Sequence, residues 1–460
     1  MNLFRKKSIR ETVDVAKSNS LKKTLGAFDL VLLGIGCIVG TGIFVITGVA
    51  AATYAGPAIS ISYVLAAIAC IFAGLAYAEL AAMVPVAGSA YTYAYAVLGE
   101  FVAWLVGWGL VLEYAIGAST VSAGWSGYVV GLLNSGGITI PEVLTKTPIN
   151  GGIINLPASC IALFIGFLLF HGTKESVTLN RILVAVKLCV IFLFLFIAAP
   201  MIKIENWEDF MPFGINGVLL GAGIVFYAYI GFDAVATAAE ECKNPKRDLP
   251  IGLIGSLIVC SILYVTVSLV LTGISHYSDL NNSEPLARAL RLNGSNLGST
   301  LVATGAVAGM TSVLLVLMYG QSRIFFVMSR DGLIPKFFSR LHKKFETPHL
   351  SVAAVAFAVA IITGFLPLKI LSQLTSLGTL FSFIVVAIGV MILRFTEPNI
   401  ERPFRCPLVF LVAPLALLSC GYLTYTLLRE TGIWFALWSA LGLVVYFSYG
   451  YRKSPLAKRK

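Results

Sequence analysis

Three ionisable side chains stand inside long apolar runs: Glu113 in Gly109-Leu-Val-Leu-Glu-Tyr114, Lys187 in Val184-Ala-Val-Lys-Leu-Cys-Val190, and Asp233 at the end of a glycine-rich run. A charge at the centre of a hydrocarbon layer costs at least ~2.5–3.5 kcal/mol, so each one invites a functional reading. A desolvated lysine can take up and release a proton as its surroundings open to one side or the other. Glu113 and Asp233 are weaker candidates for the same work, since each could instead pair with a helix end or a hydroxyl. Lys187 also has a plainer reading. It lies six residues beyond Arg181, about 9 Å of helix, near the limit at which a lysine stem can snorkel back to the interface.

Two backbone features accompany these charges. Gly34-Ile-Gly-Cys-Ile-Val-Gly-Thr-Gly-Ile-Phe44 sets four glycines within eleven residues, and Gly221-Ala-Gly-Ile-Val-Phe-Tyr-Ala-Tyr-Ile-Gly-Phe-Asp233 sets three before an acid. Glycine costs ~1 kcal/mol in a helix interior relative to alanine. Small residues also serve close helix packing in membranes. The functional alternative is an interrupted helix, whose freed N–H and C=O groups are tolerable at depth only when buried in protein or facing a cavity. The N-terminal end of one half-helix suits a carboxylate, and the carbonyl end of the other suits an ammonium. A zwitterionic amino acid presents both groups.

The elements that must hold these residues are membrane helices. Of the 460 residues 58% are hydrophobic and only 12% charged, where a soluble domain carries about 25% charged. Runs long enough to cross ~30 Å of hydrocarbon fall near 27–50, 57–83, 100–134, 154–171, 181–201, 216–239, 249–275, 297–322, 350–366, 371–394, 407–427 and 433–451. Twelve spans divide the loops into two sides. One side, with both tails, holds 26 of the 33 Lys and Arg; the other holds Lys146, Lys203, Arg288, Arg291, Lys369 and Arg429, and Lys187 is within a span. Short cytoplasmic loops carry the Lys/Arg excess, so both termini are expected in the cytoplasm. The net charge of +11 is thus a topology signal rather than a nucleic-acid footprint. Seven basic residues precede residue 26 with no early apolar stretch, which argues against a cleaved signal peptide. The eight cysteines offer no outer-loop pair and no metal spacing, and Glu79 reads as a solvated or interfacial charge near a helix end.

The interruptions occupy spans one and six, matching positions in two five-helix halves, 27–201 and 216–394. Such pairing points to a carrier site built on an inverted repeat, with 407–451 as two further helices. The expected organisation is a cytoplasmic tail 1–26, one transmembrane domain 27–451 and a tail 452–460. The outer stretch Glu284-Pro-Leu-Ala-Arg-Ala-Leu-Arg291 is polar and partly helical in pattern.

At these residues the chain resembles the amino acid–polyamine–organocation superfamily and, within it, the cationic amino acid transporter family. The resemblance rests on Gly34 to Phe44, on Tyr229-Ile-Gly-Phe-Asp-Ala-Val-Ala-Thr-Ala-Ala-Glu-Glu241 running into Lys243-Asn-Pro-Lys-Arg-Asp-Leu-Pro-Ile-Gly252, and on Ser322-Arg-Ile-Phe-Phe-Val-Met-Ser-Arg-Asp-Gly-Leu-Ile-Pro335. It covers nearly the whole chain. It implies an all-α, LeuT-type fold of twelve helices in a five-plus-five inverted repeat with interrupted helices 1 and 6, and alternating access at a central site between helices 1, 3, 6 and 8. By the same resemblance Gly40, Thr41 and Gly42 would bind the substrate carboxylate. Carbonyls of Ile38, Tyr227 and Ile230 would take the ammonium, and Phe226, Ile230 and Phe232 would shape the side-chain pocket. Lys187 would stand where sodium-coupled relatives hold an ion, reaching carbonyls near Gly34–Gly36 and hydroxyls such as Thr311 or Ser312.

The function so implied is secondary active amino acid transport, driven by a proton gradient with no cofactor and no metal, in a multi-pass protein of the plasma membrane. Its partners are the amino acid and the lipid bilayer; nucleic acid is not expected, and an accessory membrane subunit is not legible. No acid is expected at the pocket, which favours symport of small neutral L-amino acids such as alanine over a cationic uniporter or exchanger for arginine and lysine. Met318 could border the substrate, though packing is the plainer role. An enzyme is disfavoured because no metalloprotease, P-loop or nucleophile-elbow motif is present. A channel would want a repeated filter or rings of charge.

Overall fold

The structure is a computed structural model that describes residues 5, 24–84, 89–171, 177–342 and 347–454, without the side chains of 177–181, 237 and 240. Most of the basic N-terminal tail, Lys174, Lys343, Lys344, residues 455–460 and the side chains of Arg181 and Glu240 therefore lie outside the description. Among the described residues the protein is helical, with a single β-bridge, Leu25 to Cys242.

The first apolar run forms α1 (Ala27–Ile38), stops at Val39-Gly40, and resumes as α2 (42–55), wound partly as π-helix. Gly56, at φ +61°, turns the chain into α3 (Ile59–Met83). A short α4 (Ser89–Val97) leads to the long α5 (Glu100–Ser135). Next come α6 (Leu156–Phe170), whose N-terminus Asn155 caps by accepting from Ala158 N, and α7 (Val177–Ala198). The second glycine-rich run gives α8 (Gly214–Val225), an irregular stretch over 226–233, and the single turn α9 (Ala234–Thr237). The chain continues through α10 (Pro245–Ile274), the short α11 (Pro285–Leu292), α12 (Asn296–Arg330), α13 (His349–Phe365), α14 (Leu368–Thr396) and α15 (Val409–Val445). Proline opens α10 and α11, where its missing N–H deprives the helix of nothing.

By length and apolar content eight helical stretches among the described residues can cross a membrane, and α1, α6 and α13 are shorter apolar helices. Two of the eight are double-length: Gly42–Met83 bends at Gly56-Pro57, and Val409–Lys453 is helical past the expected break between 427 and 433. The pairings of that last run reverse along its length. Cys406 N donates to Glu79, near the end of α3, and Glu430 pairs with Lys369 at the far end of α14. Trp108 then donates to Trp438 O, Trp104 to Gly442 O, and Ser454 to Glu100 at the start of α5. Arg394, at the other end of α14 from Lys369, also pairs with Glu79. These partners place the two halves of the run against opposite directions of the neighbouring helices, with the reversal near Glu430.

The core is formed by facing pairs: α3 packs on α10, α5 on α12 and α6 on α13.

Candidate functional site

The two interruptions meet. A Cβ on Gly42 would stand 2.5 Å from Cα of Ala228, so only glycine lets the two backbones touch there. Gly231, at φ +107°, lies against Cys37, a conformation that L side chains resist. One hydroxyl ties the breaks together: Tyr264 Oη lies 2.9 Å from Ile38 O and 2.8 Å from Ala228 O, its single proton shared between them. Gly42 O is held by Thr47 and Tyr63. Behind the breaks Tyr63, Tyr229 and Tyr264 pack ring to ring.

Between the breaks lies a small cavity of about 20 Å³, lined by Cys37, Ile38, Gly40, Thr41, Gly42, Tyr227 and Ile230 on one side. Glu113, Gly117 and Val121 of α5, Val313 and Leu317 of α12, and Thr375 of α14 complete it. That space holds about one water. Thr41 is buried and its Oγ1 has no hydrogen-bond partner, and neither does Oε2 of Glu113. The start of α2 also leaves its first backbone N–H groups without intrahelical acceptors. The cavity wall thus combines donors at a helix start, carbonyls at a helix end, an under-bonded carboxylate and aliphatic side chains.

Of the residues singled out in the sequence, Ile38, Gly40, Thr41, Gly42, Tyr227 and Ile230 line this cavity. Phe226 and Phe232 do not: both are fully buried in a ring cluster with Phe383, at 6.0 and 5.0 Å, and Phe232 also meets Tyr77. Met318 packs toward α6 at Gly166, and the neighbouring Leu317 faces the cavity instead. The carbonyls of Ile38 and Tyr227 are partly used, by Tyr264 and by the N–H of Ile230 at 3.2 Å. The expectation that no acid reaches the pocket is corrected by Glu113, which lines it. Gly117 and Val121 follow Glu113 at steps of four, and Leu317 follows Val313 likewise. Helical periodicity finds them once Glu113 is placed.

Lys187 is 1% exposed and its Nζ donates to Gly36 O of α1 at 2.6 Å. Its stem lies against Gly309 of α12. The interfacial, snorkelled position is therefore not the one adopted. Thr311 and Ser312 donate to carbonyls of their own helix, and Thr311 also accepts from Trp125. Asp233 is buried away from the cavity, its Oδ2 3.5 Å from Ser89 Oγ and its Oδ1 without a partner.

Glu79, read as a solvated or interfacial charge, is instead wholly buried in the protein. It takes Arg394 at 2.7 Å, Arg402 at 3.2 Å and the N–H of Cys406 at 2.7 Å. Sequence separations above 300 residues hid these partners.

Interrupted helices meeting over a buried cavity in an all-helical membrane protein are the architecture of a solute carrier. Residues 25–448 match the family described as amino acid permease, and the chain belongs to that family, within the amino acid–polyamine–organocation superfamily. It is therefore an integral membrane permease. It is 45% identical over 459 residues to the methylthioribose transporter of Bacillus subtilis (strain 168), covering 99% of this chain and 100% of that protein. The branched-chain amino acid permease BcaP of the same organism is 46% identical over 461 residues, 99% of each chain. The vacuolar cationic amino acid transporter 4 of Arabidopsis thaliana is 37% identical over 86% of this chain and 68% of its own length.

Proposed function

We propose that this permease is a proton-coupled symporter of small neutral L-amino acids, alanine among them, working by alternating access. The observation that carries the reading is the pair of helix breaks closed over a water-sized cavity, with Lys187 reaching one of the two broken helices. A zwitterion bound there sets its carboxylate at the start of α2, where the N–H groups of Gly40–Gly42 and the Thr41 hydroxyl await an acceptor. Its ammonium goes to the carbonyls of Ile38, Tyr227 and Ile230. Lys187 carries the proton: in its charged form it clamps Gly36 O, and loss of the proton releases α1. Coupling follows because the two conformations differ in their affinity for that proton.

The same reading includes twelve spans in a LeuT-type five-plus-five inverted repeat, 27–201 and 216–394, with 407–451 added and both termini in the cytoplasm. The packing of α3 on α10, α5 on α12 and α6 on α13 supports the repeat, and the reversal near Glu430 supports an even number of crossings. The plasma membrane is the proposed location.

A second reading, branched-chain amino acids, is favoured by the aliphatic wall of Ile38, Val121, Ile230, Val313 and Leu317 and by the BcaP relative. The test is uptake of radiolabelled alanine, leucine and arginine into proteoliposomes with an imposed pH gradient, with methylthioribose as competitor. Alanine accumulation driven by inward proton flow and lost in Lys187→Ala is the expected result. Leucine preferred over alanine selects the second reading. Arginine accumulation driven by membrane potential and unchanged in Lys187→Ala refutes proton coupling and makes Glu113 the anchor of a cationic side chain. Competition by methylthioribose alone refutes amino acid carriage.

A further inference from the structure

The end of α12 and the segment after it gather bases that carriage of a solute does not use: Arg323, Arg330, Lys336 and Arg340, with Lys343 and Lys344 beyond them outside the described residues. The first four are exposed and make no ion pair among the described residues. Asp331 is the one acid between 323 and 342, and it is buried, accepting from Tyr91 of α4 at 2.8 Å.

The geometry sets the depth of these bases. Arg323 is the first charged residue after the apolar stretch 297–322 of α12, so it stands where that helix leaves the hydrocarbon. Its guanidinium lies over the Tyr319 ring, 4.2 Å from the centroid, and tyrosine is a residue of the membrane interface. From Arg323 the helix runs on for about 10 Å to Arg330, and the chain then returns. Ser329 donates to Pro335 O at 2.8 Å, Phe338 stacks on Phe325 of α12 with centroids 5.2 Å apart, and Ser351 of α13 donates to Phe338 O at 2.7 Å. The turn Lys336–Ser339 is thereby fastened between α12 and α13, level with the helix turn that follows Arg323. Two apolar side chains stand uncovered beside its bases: Phe337 is 43% and Leu341 53% exposed. Cations and apolar groups exposed together at one depth suit the boundary between phosphates and acyl chains, where both kinds of group find their solvent.

We infer that this turn is a docking surface for an anionic phospholipid, its headgroup phosphate held by Arg323, Lys336 and Arg340, with Phe337 and Leu341 among the acyl chains. The inference goes beyond the carrier reading and is independent of which solute is carried. The leaflet concerned is on the side of residue 454: Tyr91, bound to Asp331, stacks on Tyr95, and Tyr95 and Ser454 both donate to Glu100. α12 supplies Val313 and Leu317 to the central cavity and lies against the Lys187 stem at Gly309. A lipid fixed at its end thus steadies the helix that borders both.

Each base near an anionic surface is worth roughly fivefold in affinity. The test is titration of the detergent-purified full chain with phosphatidylglycerol and, separately, with phosphatidylcholine, counting bound lipid by native mass spectrometry. The expected result is tighter binding of phosphatidylglycerol, weakened at least tenfold when Lys336→Gln and Arg340→Gln are combined, and several-fold in Phe337→Ser. The charge-keeping pair Lys336→Arg with Arg340→Lys should bind as the unaltered protein does, which separates lost charge from lost folding. Equal affinity for the two lipids, or phosphatidylglycerol binding unchanged in the glutamine pair, overturns the docking surface. Full displacement of the lipid by glycerol 3-phosphate overturns it as well, because the site then belongs to a soluble anion.

Discussion

At the scale of single residues, Lys187 and Gly42 carry the sharpest expectations. A pH difference of one unit is worth ~1.4 kcal/mol, about tenfold in solute accumulation. Lys187→Gln keeps a donor for Gly36 O but cannot exchange a proton. It should bind and exchange solute across the membrane while accumulating none, so internal and external concentrations level off equal. Measured tenfold accumulation in that variant would remove the lysine from the coupling. Gly42→Ala drives a methyl to 2.5 Å from the Ala228 backbone, and neither chain can yield, whereas a methyl at Gly40 meets the movable Val313 side chain at 3.2 Å. Uptake should therefore fall more than about tenfold in Gly42→Ala and only a few-fold in Gly40→Ala, with both proteins in the membrane. Equal losses would mean that the contact between the breaks is unimportant. The glycines and the lysine were legible because glycine and charge are costly inside an apolar helix. The roles of Phe226, Phe232 and Met318 were not, since which face of a helix meets the cavity depends on partners such as Phe383 that are distant in sequence.

At the scale of elements, helices are tied together at points that local sequence does not reveal. The Glu79 carboxylate joins α3, α14 and the segment before α15, and the Arg402 guanidinium beside it also donates to the carbonyls of Leu393, Glu397, Pro398 and Ile400. Removing one partner of a buried pair leaves an uncompensated charge, at a cost of about 3 kcal/mol or more. Glu79→Ala should lower the thermal midpoint of the purified protein by several degrees, and Glu79→Gln by less, because a carboxamide still accepts from Arg402 and Cys406. An unshifted midpoint in Glu79→Ala would show the cluster to be dispensable. The helix breaks, by contrast, were visible in the sequence, because their cause is local: glycines at 40, 42 and 231. The continuous helicity of α15 was not, because the polar residues Arg429, Glu430 and Thr431 read as a loop between two spans although 428–432 contains no proline to break the helix.

At the scale of the whole molecule, apolar run length and basic-residue bias were enough to read a membrane-embedded helical fold, because both are imposed by the bilayer rather than by tertiary contacts. Neither reveals which side of the pathway is shut. In this conformation the loop before α11 packs on α2 and α5, and Arg291 completes the clasp, reaching Glu284, Ser135 of α5 and Ser299 of α12. Burial raises the Glu284 carboxyl above its ordinary value of 4.5, an effect that Arg291 and then Arg288 only partly oppose; Tyr128 of α5 is the other titratable neighbour. A carboxyl raised in the closed loop holds its proton more tightly there than in water. The closed loop therefore keeps this contribution in full below about pH 4.5 and loses it as pH rises through the raised value. Acid outside should close the loop, and neutral pH should loosen it. Hydrogen exchange over residues 277–292, corrected for intrinsic rates, should accordingly be slower at pH 5 than at pH 8. Glu284→Gln, with no proton to lose, should abolish that difference. Faster exchange at pH 5 in the unaltered protein would reverse the sign and exclude Glu284 as its source; a pH dependence that persists in Glu284→Gln would assign it to another group.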